Sequence, residues 1–187
     1  MAKWKKQTLK LKKNHGWKAR PGYRIFVADR AAVRFDIPQG WVIKPDSQSV
    51  KLYDGEPPDD NCRLEVSHNR LPPIDWDGFD LPQLLRDVTA GDSREVTSRS
   101  DVVVVNRPGL RLVWAELSHR DPVEDREAYS RVLIGIGGNV QCLITMDYWP
   151  EDAARARPVW DDVVGTLQLG VYIPDPTTGN PLNPRLN

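Results

Sequence analysis

The sequence predicts an α+β fold, a mostly antiparallel sheet with a helix layer on each face. Three observations point there. Strand-like segments follow one another at hairpin spacing, too close for the long crossovers that parallel strands need. One of them, residues 110–117, is apolar on both sides, with Leu110, Leu112 and Trp114 on one and Val113, Ala115 and Leu117 on the other. A strand of that kind belongs in the middle of a sheet covered on both faces. Two stretches of helical periodicity, after Asp80 and after Trp149, supply the cover. At 187 residues the chain is long enough for one domain with a proper core.

In order along the chain, residues 24–37 read as strand, turn, strand, with Asp29 and Arg30 at the turn. Val33, Phe35 and Ile37 alternate with Arg34 and Asp36, as a half-buried strand requires. Pro38-Gln39-Gly40 stops that strand, and residues 41–43 and 49–53 read as two more short ones. A loop rich in Pro and Asp, 55–61, precedes a strand over 62–67. Asp80 is placed to cap the first helix, with Gln83 three residues on and Pro82 tolerated in the first turn. Leu81, Leu84, Leu85 and Val88 form its core-facing stripe, and Gly91 ends it as C-terminal glycines do.

Strands are then expected at 95–98, 102–105, 110–118 and 128–136, the last two joined by the charged loop 120–127. Gly137-Gly138-Asn139 turns the chain into a long strand, 140–149, in which Val140, Cys142, Ile144 and Met146 point one way. The second helix begins at Pro150, with Glu151 and Asp152 complementing its positive end. Pro158 is expected to kink or divide it. Val159, Val163 and Val164 make its apolar face with Trp160 beside it, and residues 166–172 read as a closing strand.

Composition narrows the function classes. No apolar run approaches the roughly 18–20 residues of a membrane span. The N-terminus opens Met-Ala-Lys-Trp-Lys-Lys without the apolar stretch of a signal peptide, so a cytoplasmic location is expected. Cys62 and Cys142 stand alone, with no Cys or His at zinc-ligand spacing, and are read as buried, reduced thiols. No metal site and no cofactor is expected.

The candidate chemistry mostly dissolves on inspection. Ser118, His119 and Asp121 carry the letters of a hydrolase triad, but strand neighbours point to opposite faces, so Ser118 and His119 cannot meet. His119 and His68 are expected at exposed strand ends. Asp75-Trp76-Asp77-Gly78-Phe79-Asp80 departs from a calcium loop, having Phe79 at position 5 and Arg86 at position 12. Glycines 135, 137 and 138 precede a strand, not a helix, and read as a hairpin in place of a phosphate cradle. Asp121, Glu124, Asp125 and Glu127 read as a solvated hairpin tip. No catalytic residue is assigned.

The charge distribution is the clearest oddity. Lys3, Lys5, Lys6, Lys10, Lys12, Lys13, Lys18 and Arg20 fall in the first twenty residues, without an acid. The remaining 18 basic and 26 acidic groups leave the rest of the chain at −8. The chain therefore divides into a basic arm (1–20), one domain (21–173) and a Pro-rich tail (174–187), the tail expected to be extended or mobile. Trp4, Lys5, Lys6, Lys10, Lys12, Lys13 and Trp17 are the candidate partner-binding residues. Three readings of the arm stay open. Leu9 and Leu11 alternate as an extra edge strand would, with lysines guarding it, or the arm folds back onto the acids of its own domain. The same cations suit an acidic protein. Cations interleaved with indoles also suit a nucleic acid or an anionic membrane surface.

The layout resembles the Mog1/PsbP-like family. The segment Val33-Arg-Phe-Asp-Ile-Pro-Gln-Gly-Trp41 is similar to its opening hairpin, and 81–88 stand where its first helix lies. Residues 138–150 and 158–167 resemble its last long strand, closing helix and final strand, so the likeness spans about residues 24–170. The resemblance implies an α/β/α sandwich around an antiparallel sheet. It also implies a mostly non-enzymatic role, since the family includes a Ran-binding import factor, a photosystem II subunit, bacterial lipoproteins and effector chaperones. The chain departs from the secreted members in lacking a signal or lipobox cysteine. The expected function is thus a non-catalytic protein-binding, adaptor or chaperone-like domain whose partner is another protein. The alternatives are an enzyme with a cleft invisible in sequence and nucleic-acid binding through the arm.

Overall fold

A computed structural model describes residues 5–72, 75–76 and 78–182. The first hairpin is β1 (Tyr23–Ala28) and β2 (Val33–Pro38). Its turn is left-handed at three residues bearing a Cβ, with φ of 42°, 53° and 68° at Asp29, Arg30 and Ala31. Backbone of that kind costs about 1–2 kcal/mol per residue. The full burial of Ala31 and Ala32 and the bond from Ala32 N to Asp29 O hold it in place. Then come β3 (Val42–Pro45), β4 (Val50–Tyr53), β5 (Cys62–Arg70) and the helix α1 (Leu81–Ala90). β6 (Glu95–Arg99), β7 (Val103–Arg107), β8 (Leu110–Asp121), β9 (Arg126–Gly137) and β10 (Val140–Tyr148) follow. α2 (Ala153–Thr166) and β11 (Gln168–Leu169) close the series.

Two sheets result, one ordered β3-β4-β5-β10-β9-β8-β6 with β7 also beside β8, the other β1-β2-β11. Every pairing is antiparallel, as hairpin spacing requires. The two-sided strands set the packing. Leu112 and Leu133 join a core with Val140, Cys142, Ile144 and Met146, Phe35 and Ile37 of β2, and Trp160 and Val163 of α2. Their strand neighbours Val113, Ala115, Leu117, Val132, Ile134 and Ile136 turn the other way and pack with Leu81 and Leu85 of α1. One helix thus covers each face of the large sheet. α1 reaches β8 and β9. Beyond it Leu143 of β10 is 37% exposed.

Several boundaries differ from expectation for physical reasons. The Asp80 carboxylate does cap α1, accepting from Gln83 N at 2.9 Å. The buried face, however, runs through Leu81, Leu85 and Thr89, leaving Val88 44% exposed. Gly91 ends α1 at φ −83°, not in the left-handed region. Pro158 lies inside a continuous α2. It sits on the exposed side, where solvent reaches the carbonyl that the missing N–H leaves free. The closing strand is only two residues long, because Gly170 leaves at φ 66°. Gly137 has to be glycine: a Cβ there would stand 2.7 Å from Gly109 O and 2.9 Å from Leu169 Cβ, where β11 crosses the sheet.

Cys62 and Cys142 are both buried and unbonded. Cys62 stands opposite Tyr148, six residues along β10 from Cys142, so about 20 Å of strand separates them. Burial pushes the Cys142 thiol up to about 12 and raises that of Cys62 as well. Two free thiols are therefore expected by titration in denaturant without reductant, and neither should react at pH 8 in the native protein. Rapid native labelling would show that one of the strands opens.

Candidate functional site

The described part of the basic arm, from Lys5 on, does not form a strand. Residues 5–12 have no regular structure, Leu11 is 40% exposed, and among the described residues no backbone hydrogen bond ties 5–11 to β1. The arm is held instead at its base, by the tail. Lys12 N donates to Thr177 O at 3.0 Å and Gly16 N to Thr178 O at 2.6 Å. Lys12 Nζ pairs with Asp175 at 2.8 Å. Hydrogen bonds from Lys12 and Thr177 hold the Asp175 carboxyl down at about 2. The Trp17 indole donates to Pro176 O at 2.7 Å and lies against Gly179, where a Cβ would be 2.7 Å from the ring. Arg34 of β2 sits 5.2 Å from the ring centroid of Trp17. Arg20 then pairs with Asp162 of α2. The part of the tail expected to be extended, residues 175–179, is therefore a turn built to clasp the arm.

Above this clasp the arm overhangs a cleft of about 630 Å³. Its floor and far wall come from β1, including Ile25 and Val27, and from Ile43, Pro45 and Val50 of β3 and β4. Lys5, Lys6, Leu9 and Leu11 form the near wall. Among the described residues β1 pairs only with β2, so its outer edge is open. Residues facing each other in an antiparallel pair alternate between exchanging both backbone bonds and exchanging none. Gln39 N donates to Gly22 O, so the bonded positions of this pair are the even-numbered ones of β1. Ile25 and Val27 accordingly turn their N–H and C=O groups to the open edge.

A second recess, of about 240 Å³, lies on the α1 face of the large sheet, past the helix. Arg63, Asp147 and Ser130 stand directly opposite one another on β5, β10 and β9. Asp147 accepts from Ser130 at 2.6 Å, from Arg63 at 2.7 Å and from Arg94 at 3.4 Å. Arg94 is bound in turn to Asp92, whose carboxyl it holds below the usual range. His119 lies beside it, 4% exposed, with Nε2 3.4 Å from Arg94 Nη1. A guanidinium only donates, so Nε2 accepts and the proton is on Nδ1. Burial, then the Arg94 charge, lower the pKa of His119 and keep it neutral.

The span 24–173, from β1 past β11, matches the Alr1449 family. The chain belongs to the Alr1449 family. A relative in Nostoc sp. (strain PCC 7120 / SAG 25.82 / UTEX 2576), the uncharacterized protein alr1449, is 50% identical over 177 residues, 94% of this chain and 92% of its own length. That alignment takes in part of the arm and part of the tail. In fold the Alr1449 chain is similar to cyanobacterial PsbP (CyanoP) of Synechocystis sp. PCC 6803, with a TM-score of 0.54 at 13% identity over 82% of this chain and 96% of that one. It is similar also to the Ran-binding protein Mog1p of Saccharomyces cerevisiae, with a TM-score of 0.52 at 11% identity over 79% of this chain and 95% of that one. These likenesses are of fold. Among the described residues of the Alr1449 chain, no helix is long and apolar enough to cross a membrane.

The candidate residues of the Alr1449 arm separate into two groups. Lys12 and Trp17 are engaged with the tail, while Lys5 and Lys6 line the cleft and Lys10 and Lys13 are exposed beside them. Trp4 lies outside the described residues, and so does Asp77 of the calcium-loop-like stretch. Two expectations are corrected. His119 is buried, with β6 paired alongside β8 and Arg94 against its ring, and the His68 side chain is 7% exposed, beside Asp29 at 3.6 Å. Ser118 does point away from His119, bonding Thr97 and Ser98. Asp121 shapes the hairpin tip by accepting from the N–H groups of Val123 and Glu124. The recess around Asp147 was missed. Its signal was a carboxylate inside a strand whose neighbours, Met146 and Tyr148, are both buried.

Proposed function

We propose that this chain is a non-catalytic protein-binding domain, an α/β/α sandwich with remote Mog1/PsbP-like kinship, whose partner docks on the face made by the basic arm and β1. The observation that carries this reading is the state of the arm's cations. Among the described residues, Lys5, Lys6, Lys10 and Lys13 form no ion pair, although the rest of the chain carries −8. An arm that existed to neutralise its own domain would spend them there. Its base is instead clasped and its lysines are held out beside an open cleft. Mog1p, described as Ran-binding, gives a precedent on this fold for a protein partner. A cytoplasmic location is part of the same proposal.

The recess around His119 gives the enzyme alternative a concrete place. Yet Asp147 already accepts three donors there and Nε2 of His119 is engaged by Arg94, so both are taken up in structural contacts. Binding is therefore the preferred reading. Replacing Lys5, Lys6, Lys10 and Lys13 together by Glu is expected to abolish co-purification of the partner protein from native cells. The wild-type complex should itself weaken as salt shortens the Debye length from about 10 Å at 0.1 M to 3 Å at 1 M. Melting should hardly move, since exposed substitutions stay within about 0.5 kcal/mol each. A partner that is retained by the charge-reversed protein would overturn this function.

A further inference from the structure

We infer that the cleft takes an extended acidic peptide of the partner as an added strand on the open edge of β1. The inference rests on the binding role of the arm face. Three features of the cleft point to this occupant. The first is the edge itself: the backbone groups of Ile25 and Val27 face away from β2, and no strand of either sheet pairs with that side of β1. An edge of unpaired N–H and C=O groups is a template for another strand. The second is the mixed lining. Ile43, Pro45 and Val50 on one side are apolar, and the arm brings the cations Lys5 and Lys6 along with Leu9 and Leu11 on the other. Successive side chains of an added strand point to opposite faces, so a peptide that carries acids among apolar residues finds partners for both. The third is net charge. Lys5, Lys6 and Arg24 line the cleft against a single acid, Asp29, which is already bonded to Arg70 at 3.1 Å.

The arm has the properties of a movable wall. Its anchor begins at Lys12, and residues 5–11 span the cleft without backbone bonds to β1. An incoming peptide can therefore reach the edge without breaking any strand pairing.

The probe is a fluorescein-labelled peptide of alternating Glu and Val, as long as β1, compared with its Lys/Val counterpart and with single-stranded DNA. The Glu/Val peptide should raise the anisotropy, and the Lys/Val peptide should not. In hydrogen exchange, the amides of Ile25 and Val27 should slow on binding while that of Phe26 stays as it was. Ile25→Pro removes an outward N–H and leaves the bonds to β2 in place, as proline on an edge strand allows. It should bind about tenfold more weakly than Ile25→Ala, which loses the same side chain but keeps that N–H. Unchanged affinity in Ile25→Pro, or DNA binding tighter than the peptide, overturns the inference. If Ile25→Pro does not fold, exchange at Ile25 and Val27 in the unaltered chain decides alone. Loss of the native partner on charge reversal, without protection of those two amides, overturns strand addition and leaves the arm's role standing.

Discussion

Glu116→Ala is expected to destabilise the protein by about 3–5 kcal/mol, the usual loss when one partner of a buried charge pair is removed. Glu116 on β8 accepts from Arg131 at 2.7 Å, from Tyr148 at 2.5 Å and from Arg157 at 3.0 Å. The Arg131 side chain is only 8% exposed and lies over Trp114, 4.9 Å from the ring centroid. Without Glu116 that buried guanidinium keeps, among the described residues, a long contact to the exposed Asp161 at 3.9 Å. Arg157 is half in solvent and loses little. A double variant, Glu116→Leu with Arg131→Met, should recover most of the loss, because both charges then leave together. Urea denaturation of the three proteins decides it, and a double variant no more stable than the single one would show that the pair is not coupled.

The same carboxylate gives the pH dependence. Burial alone would raise the pKa of Glu116, but the bonds from Tyr148 and Arg131 and the charges of Arg131 and Arg157 outweigh it and hold the group below its ordinary value. The folded state thus binds the proton less readily than the unfolded one. The contribution is complete above the unfolded value of about 4.3 and is lost as pH falls through the lower folded value. Glu116→Gln should flatten that acid limb.

Trp160→Ala should cost about 3–5 kcal/mol, as large-to-small changes at buried aromatic sites do. The indole is fully buried under α2 and meets Trp114 edge to face, at 5.8 Å and 71°. For a chain of this size the loss lowers the melting temperature by roughly 6–20 °C. A melt within about 1 °C of the parent would mean that the helix does not pack as described. Arg131 touches the same two indoles, so the Trp160 and Glu116 effects should not add.

What was legible in the sequence follows period and contrast. Residues 110–117 announced a central strand because apolar groups on both sides have no other stable place, and β8 has two cores against it. Asp80 announced a cap because its carboxylate had an amide three residues on to accept. Val159, Val163 and Val164 with Trp160 marked the core-facing side of α2, where Val164 is only partly buried. Contacts between distant segments were not legible. Leu9 and Leu11 alternate as a strand would, but among the described residues they make no backbone bond to β1, and the clasp that holds the arm uses backbone groups of Thr177 and Thr178. The open edge of β1 follows from strand order, and the recess at Asp147 needs β5, β10 and β9 in register.

The clasp also has a temporal side. Lys12 and Asp175 are 163 positions apart, and the arm leaves the ribosome before the tail. At about 5–20 residues per second, the arm waits roughly 8–33 s for the segment that houses it. Closing so long a loop adds little further entropy cost once the tail arrives, because that cost grows only with the logarithm of length. A product truncated before Asp175 retains every residue of both sheets and both helices, yet its arm has nothing to seat Lys12 and Trp17. The near wall of the cleft therefore depends on two segments that only the folded chain brings together.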